Sequence, residues 1–228
     1  MVEKCKKLLK HSEFRVRNTI GKVLGSLIKI KGMSVYSEFK ETMLEEIETH
    51  FIRGEDKAEE NLGQEGNIEK YHKAFEEKEE YGKKPGLHDT EGWQNLETSM
   101  RTLQDIIEAS GLDFIPFLSA DDNIFNIVAK ASSHLNRFVR EIGYFLAASL
   151  FSICDLEALK TIAHRIAPIV ADGLADNWSQ VRFAASTSVR AFYDVALSDP
   201  EFSQMYFPML IPAMCLNRYY IAEVEIYF

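Results

Sequence analysis

The chain has 228 residues, of which 46% are hydrophobic and 27% charged, a balance that excludes both a disordered chain and a membrane-embedded one. Its net charge of −9 argues against a general nucleic-acid binder. Cys5, Cys154 and Cys215 are odd in number and far apart, with no CxxC pair; this excludes a disulfide framework and predicts a reducing, cytoplasmic setting, with the nucleus left open.

In chain order, the sequence is a succession of apolar stripes at helical spacing. Residues 2–10 place Val2, Cys5, Leu8 and Leu9 on one face, while Glu3 and scattered lysines leave no uninterrupted apolar stretch of a secretory leader. From Val16 a second helix carries Ile20, Val23, Leu24, Leu27 and Ile30, with Gly21 and Gly25 expected to allow close helix packing. Residues 1–31 hold nine Lys or Arg against two Glu, a local charge of +7 that leaves −16 for the remainder. Residues 36–53 follow with Tyr36, Phe39, Met43, Ile47 and Phe51. The segment 54–89 breaks the pattern, with eleven acidic and six basic side chains and five of the twelve glycines. It cannot bury enough apolar surface to offset its ordering entropy, so a mobile acidic insertion is expected, in which Ile68, Tyr71 and Phe75 could line a short charged helix.

The stripes resume at Trp93 with Leu96, Met100, Leu103 and Ile107. A short 112–118 segment is broken by Pro116, and 121–132 carries Ile124, Ile127, Val128 and Ala131. After Val139 come Ile142, Leu146, Leu150 and Ile153; the apolar run 142–154 is too short to span a bilayer and reads as a buried helix. Residues 156–174 carry Leu159, Ile162, Ile166 and Val170, and the helix after Val181 carries Ala184, Val189, Phe192 and Val195. Residues 200–214 present Phe202, Met205, Leu210 and Met214, and a last short helix is expected over 217–228. It ends in Ile226, Tyr227 and Phe228 with no polar cap, which predicts either a piece of a longer array or self-association through this end. Period-two alternation and Asn-Gly or Asp-Gly turns are absent, so no strands are expected.

An internal period organises these helices. Val181-Arg182 recurs 42 residues earlier as Val139-Arg140, and 123 residues before that, about three periods, as Val16-Arg17. Trp93 lies 46 residues before Val139 and Ile221 lies 40 after Val181, so each anchor opens the second helix of a hairpin. The most complete unit is 166–190, IAPIVADGLADNWSQVRFAASTSVR, with Pro168, Asp176, Val181 and Arg182. This pattern resembles the HEAT repeat, an armadillo-type hairpin in which a Pro bends the first helix, an Asp sits in the turn and Val-Arg opens the second helix. The first and third units have His11 and His134 at the Asp position. The second keeps only the stripe, with Asp89 one residue out of register, and the fifth keeps Pro208 but has Leu216 and Ile221-Ala222. The resemblance implies an all-α, right-handed α-α superhelix of about five hairpins, the last incomplete, as one unit over 1–228. It further implies protein or peptide binding along the concave face lined by second helices, and no shared activity.

Histidines 11, 50, 72, 88, 134 and 164 show no HExxH or zinc spacing, and no Gly-rich phosphate loop, GxSxG or Cys-His constellation is present. Neither enzyme activity nor a metal or cofactor is therefore expected. Arg17, Arg140 and Arg182 are expected to bridge adjacent units through turn carboxylates such as Asp176 and through carbonyls, because the guanidinium fork satisfies two acceptors at once. Counting two, five to six, nine and thirteen residues from each anchor gives an outward column. From it Lys22, Thr98, Thr102, Glu141, Tyr144, Phe183, Arg190 and Asp194 are candidate partner-binding residues, with Tyr144 and Phe183 as anchors unless helix stacking buries them. The favoured reading is an adaptor for an unidentified protein partner. Its alternative is an assembly or regulatory subunit contacting its complex through 54–89. A nucleic-acid binder using the basic N-terminal helices is disfavoured by the overall acidity.

Overall fold

Helix α1 (Val2–Leu9) turns back into α2 (Phe14–Lys31), which stops at Gly32, where φ is +75°. The computed structural model describes residues 1–64, 92–120 and 123–226. The remaining helices are α3 (Ser34–Gln64), α4 (Trp93–Ser110), α5 (Ile115–Ala120) after a 3-10 turn at Gly111–Phe114, α6 (Asn123–Ser132), α7 (Arg137–Ser152), α8 (Leu156–Gly173), α9 (Ser179–Ala196) and α10 (Pro200–Ile226). No strand occurs among the described residues, as the periodicity predicts. The hairpins α1/α2, α3/α4, α6/α7 and α8/α9 form two layers: α2, α4, α7 and α9 pack side by side in chain order, and α1, α3, α6, α8 and α10 back them.

The stripes of α3, α4, α7 and α8 are buried throughout and supply one continuous core. Helix α2 differs from expectation. Its buried face is Ile20, Leu24 and Ile28 with Gly21 and Gly25, while Val23 and Ile30 stand in solvent at 38% and 78% exposure. The glycines cause this rotation. Gly21 lies against the Asp105 side chain, and a methyl group on Gly25 would meet Ala109 Cβ at 2.9 Å and the Asp105 carbonyl at 3.2 Å. The backbone of α2 therefore approaches α4 directly, and the rest of the helix turns accordingly.

Two further expectations are corrected. Residues 54–64, assigned to the mobile insertion, continue α3 as helix to Gln64; the rest of the segment, with Ile68, Tyr71, Phe75, His72 and His88, lies outside the described residues. The fifth hairpin does not form. Helix α10 runs unbroken to Ile226 with Pro208 and Pro212 inside it, because no Gly or Pro follows Ala213 and Leu216 replaces the turn acceptor.

The turns share one geometry. His11 Nδ1 accepts from the Glu13 N–H at 3.0 Å, His134 Nδ1 from the Asn136 N–H at 3.0 Å, and Asp176 Oδ1 from the Trp178 N–H at 2.8 Å. The arginine six residues on then reaches back. Arg17 donates to the carbonyls of His11 and Ser12, Arg140 to those of His134 and Leu135, and Arg182 to that of Asp176, all between 2.7 and 3.0 Å. These carbonyls belong to the arginine's own turn rather than to the adjacent unit. The link to the neighbour uses the other edge of the guanidinium: Arg140 holds Asp176 in a fork, Nε–Oδ2 2.7 Å and Nη2–Oδ1 3.1 Å, and Arg17 Nε donates to Thr98 Oγ1 at 3.1 Å. Between α1 and α3, buried Glu46 accepts from Lys10 Nζ at 2.9 Å and pairs with His50 Nε2 at 3.0 Å. Burial opposes ionisation of Glu46, but Lys10 and His50 outweigh it and hold the carboxyl below its ordinary pKa.

Arg140→Ala leaves Asp176 without its cation and two turn carbonyls without a donor, so urea unfolding should show a loss of about 2–4 kcal/mol. Arg190→Ala, whose pair with Asp194 is 3.9 Å long and exposed, should cost under about 0.5 kcal/mol; equal losses would refute the bridge. Gly173→Ala sets a methyl group against the Tyr144 ring, so its helix-propensity gain of about 1 kcal/mol should be outweighed, for a net thermal destabilisation of up to about 2 kcal/mol. Because the folded pKa of Glu46 is depressed, its contribution is present above the unfolded pKa and is lost as pH falls through the folded one. The stability gap between the native chain and Glu46→Gln should therefore close on acidification; a gap constant with pH would show that Glu46 does not act as a carboxylate.

Candidate functional site

The outward surface of the second-helix layer is set by where each helix starts. Helices α2, α7 and α9 each begin two residues before their anchors Val16, Val139 and Val181. Helix α4 begins at Trp93 itself, so the residue equivalent to those anchors is Asn95. Moving the count by two places Glu97, Arg101, Gln104 and Glu108 on the outward row of α4, spacings of three and four that share one face. Trp93 instead joins two hairpins: it stacks on Phe138 of α7, ring centroids 4.8 Å apart and 16° from parallel.

Three candidates are thereby corrected. Thr98 and Thr102 are buried between α4 and its neighbours: Thr98 accepts from Arg17 and donates to the Gln94 carbonyl at 2.9 Å, and Thr102 donates to the Thr98 carbonyl at 3.0 Å. Tyr144 is buried because its ring lies on Gly173 of α8, while its carbonyl accepts from Ser188 of α9 at 2.6 Å. Burial pushes its phenol up to about 12. The five remaining candidates, Lys22, Glu141, Phe183, Arg190 and Asp194, reach the outer face, Glu141 half-buried and the others exposed.

This face changes character along the layer. On α4, Arg101 pairs with Glu97 at 2.9 Å, and Glu108 accepts from Gln104 at 2.9 Å and from Ser149 of α7 at 2.6 Å. Burial, followed by the charge of Glu108, raises the carboxyl of Asp105 against the pull of Lys22 and Arg101. Burial likewise raises Glu141. The middle of the face thus carries four carboxylates, Glu97, Asp105, Glu108 and Glu141, of which Glu97 is paired with Arg101 and Glu108 is held by neutral donors. Toward α9 the face gains two aromatic rings, half-buried Phe145 and 65% exposed Phe183, beside the exposed Arg190 and Asp194.

A groove of about 540 Å³ opens between α9 and α10, lined by Val189, Tyr193, Leu197, Phe207, Ile211 and Met214, with Arg190 on its rim about two helical turns after Phe183. Leu197 and Phe207 are exposed; Met205, Met209 and Leu216 are exposed too but lie roughly 160–200° around α10 from Phe207, on the side away from the groove. The Tyr193 hydroxyl is buried and has no hydrogen-bond partner among the described residues, so the groove contains an unsatisfied donor. The sequence pattern does not reveal this groove, because it exists only where α10 continues past the position of the expected turn. The signal available was negative: the fifth unit lacks the turn acceptor that the first, third and fourth possess.

Among the described residues no three His, Cys, Asp or Glu side chains converge in a metal-binding geometry, and no helix is long and apolar enough to cross a membrane. His11 and His134 are occupied as turn acceptors. Comparisons with protein-family models, with curated proteins and with solved structures returned no match to this chain.

Proposed function

We propose that the protein is a non-enzymatic adaptor, a HEAT-type right-handed α-α solenoid that holds a protein partner against its second-helix face, with the α9–α10 groove as the anchoring pocket. The observation that carries this reading is the apolar groove between α9 and α10, whose wall residues Leu197 and Phe207 are exposed. Val189, Tyr193, Ile211 and Met214 complete its lining, and Phe183 stands exposed on α9 about two turns before Arg190. Isolated exposed apolar residues are ordinary, but an apolar groove with a polar rim is what a protein interface offers. Support for the solenoid comes from the four hairpins packed in chain order and from the Arg140–Asp176 bridge that joins two of them. Phe183 and Phe207 supply rigid aromatic surface, and Arg190 can receive a carboxylate at the rim.

The test is affinity capture from lysate with the native chain, Phe183→Glu, Phe207→Glu and, as a control on another surface, Leu112→Glu. The expected outcome is one set of captured proteins retained by native chain and control and lost, by about tenfold or more, with either groove substitution. Identical capture by all four would remove the groove from the function.

A further inference from the structure

At the opposite end of the second-helix layer, α2 carries a pattern that neither the core nor the groove uses. Arg15-Val16, Lys22-Val23 and Lys29-Ile30 repeat a basic residue followed by a β-branched apolar one every seven residues. Seven residues make two helical turns less about 20°, so the pairs form two nearly straight adjacent rows with rungs about 10.5 Å apart. Arg15, Lys22 and Lys29 are exposed, as are Val23 and Ile30, and Val16 is half-buried. Among the described residues none of the three cations is in an ion pair; the field of Asp105 reaches Lys22 from α4. Between the rows the Thr19 and Ser26 hydroxyls donate to carbonyls of their own helix, at 2.7 and 2.8 Å. What the surface presents to a partner is therefore apolar branching and positive charge.

The position of this surface fits the same reading. The contact of α2 with α4 uses Arg17, Gly21 and Gly25, which lie on the other side of the helix. Helices α4 and α7 each have a second-layer helix on both flanks, whereas among the described residues α2 has one only. The free flank holds the apolar row, and the basic row borders it on the outward side.

We infer that this flank docks an acidic amphipathic helix of a partner protein, one with apolar residues in a seven-residue repeat and Glu or Asp beside them, laid along α2 as an added member of the layer. A β-branched row at heptad spacing with charges next to it is one half of a helix–helix seam, and its complement is apolar with the opposite charge. A second copy of α2 does not supply that complement, because its own Arg and Lys row would meet this one. A phosphate backbone would engage the cations and leave Val23 and Ile30 in water. The region also lies in the only strongly positive part of an acidic chain, +7 over 1–31 against −16 elsewhere, so an acidic segment is steered to it.

The experiment titrates the full chain against a labelled synthetic helix of about three heptads with Leu and Ile at core positions and Glu beside them. The same helix with Lys for Glu, a duplex DNA, and vesicles of phosphatidylserine and phosphatidylcholine are run in parallel. The Glu helix is expected to bind and the Lys helix not. Lys22→Glu with Lys29→Glu should weaken binding by about tenfold or more and confer binding of the Lys helix. Val23→Ser with Ile30→Ser should weaken it as well, and Phe183→Glu should leave it unchanged, which separates this site from the groove. All replaced side chains are exposed, and circular dichroism checks that each variant stays folded. The proposal is overturned if the Glu helix does not bind or if binding ignores either pair of substitutions. It is overturned equally if DNA or vesicles bind the flank in preference to the helix, or if the charge reversal abolishes self-association of the chain instead.

Discussion

Two of the three junctions between the four hairpins pass through an arginine that faces two ways, Arg17 and Arg140. Arg140 is held from behind by the carbonyls of its own turn and faces forward onto Asp176 of the next hairpin. Asp176 in turn accepts from the Trp178 N–H in the turn just before α9 and lends its own carbonyl to Arg182. The same carboxylate therefore fixes the turn of its own hairpin and receives the arginine of its neighbour. Lysine could not replace arginine here, because a point charge cannot span two carbonyls and a carboxylate in one plane. Ion pairs this far from water contribute little net stability, but an unpaired member is costly, so the bridge selects a single stacking geometry.

The turn acceptor is defined by position rather than by residue type. His11 and His134 receive the same backbone N–H that Asp176 receives in its unit. An imidazole can do this only when neutral, and burial lowers the pKa of His134 and so favours that state. Where the three turns differ in residue type they make the same hydrogen bond through another atom.

The sequence made legible what depends on period. The helices, their order and most of the core follow from apolar spacing, because a stripe at three- and four-residue steps has few ways to be buried. Side-chain direction was harder, since on a helix an error of two residues rotates a residue by about 200°. Taking Trp93 for an anchor placed Thr98 and Thr102 outside and hid Glu97, Arg101 and Glu108. Tyr144 was lost for another reason: the absence of a side chain at Gly173, some thirty residues away, makes the space that buries it. The orientation of Val23 and Ile30 was set in the same way by Gly21 and Gly25, which pack backbone against α4. Glycine contributes to no hydrophobic pattern, yet at these contacts it decides which patterned residues are inside.

The turn edge of the stack holds a row of flat side chains. Trp93 lies on Phe138, Arg137 sits 4.7 Å from the Phe138 ring and 4.1 Å from that of Trp178, and so three successive hairpins touch through it. These two residues are also the chain's entire complement of tryptophan. Intrinsic emission from this protein consequently originates at the seams between hairpins and not in the hydrophobic interior. A hairpin that slips or parts from its neighbour alters the signal while every helix is still intact, so fluorescence and far-ultraviolet dichroism observe different events in this molecule.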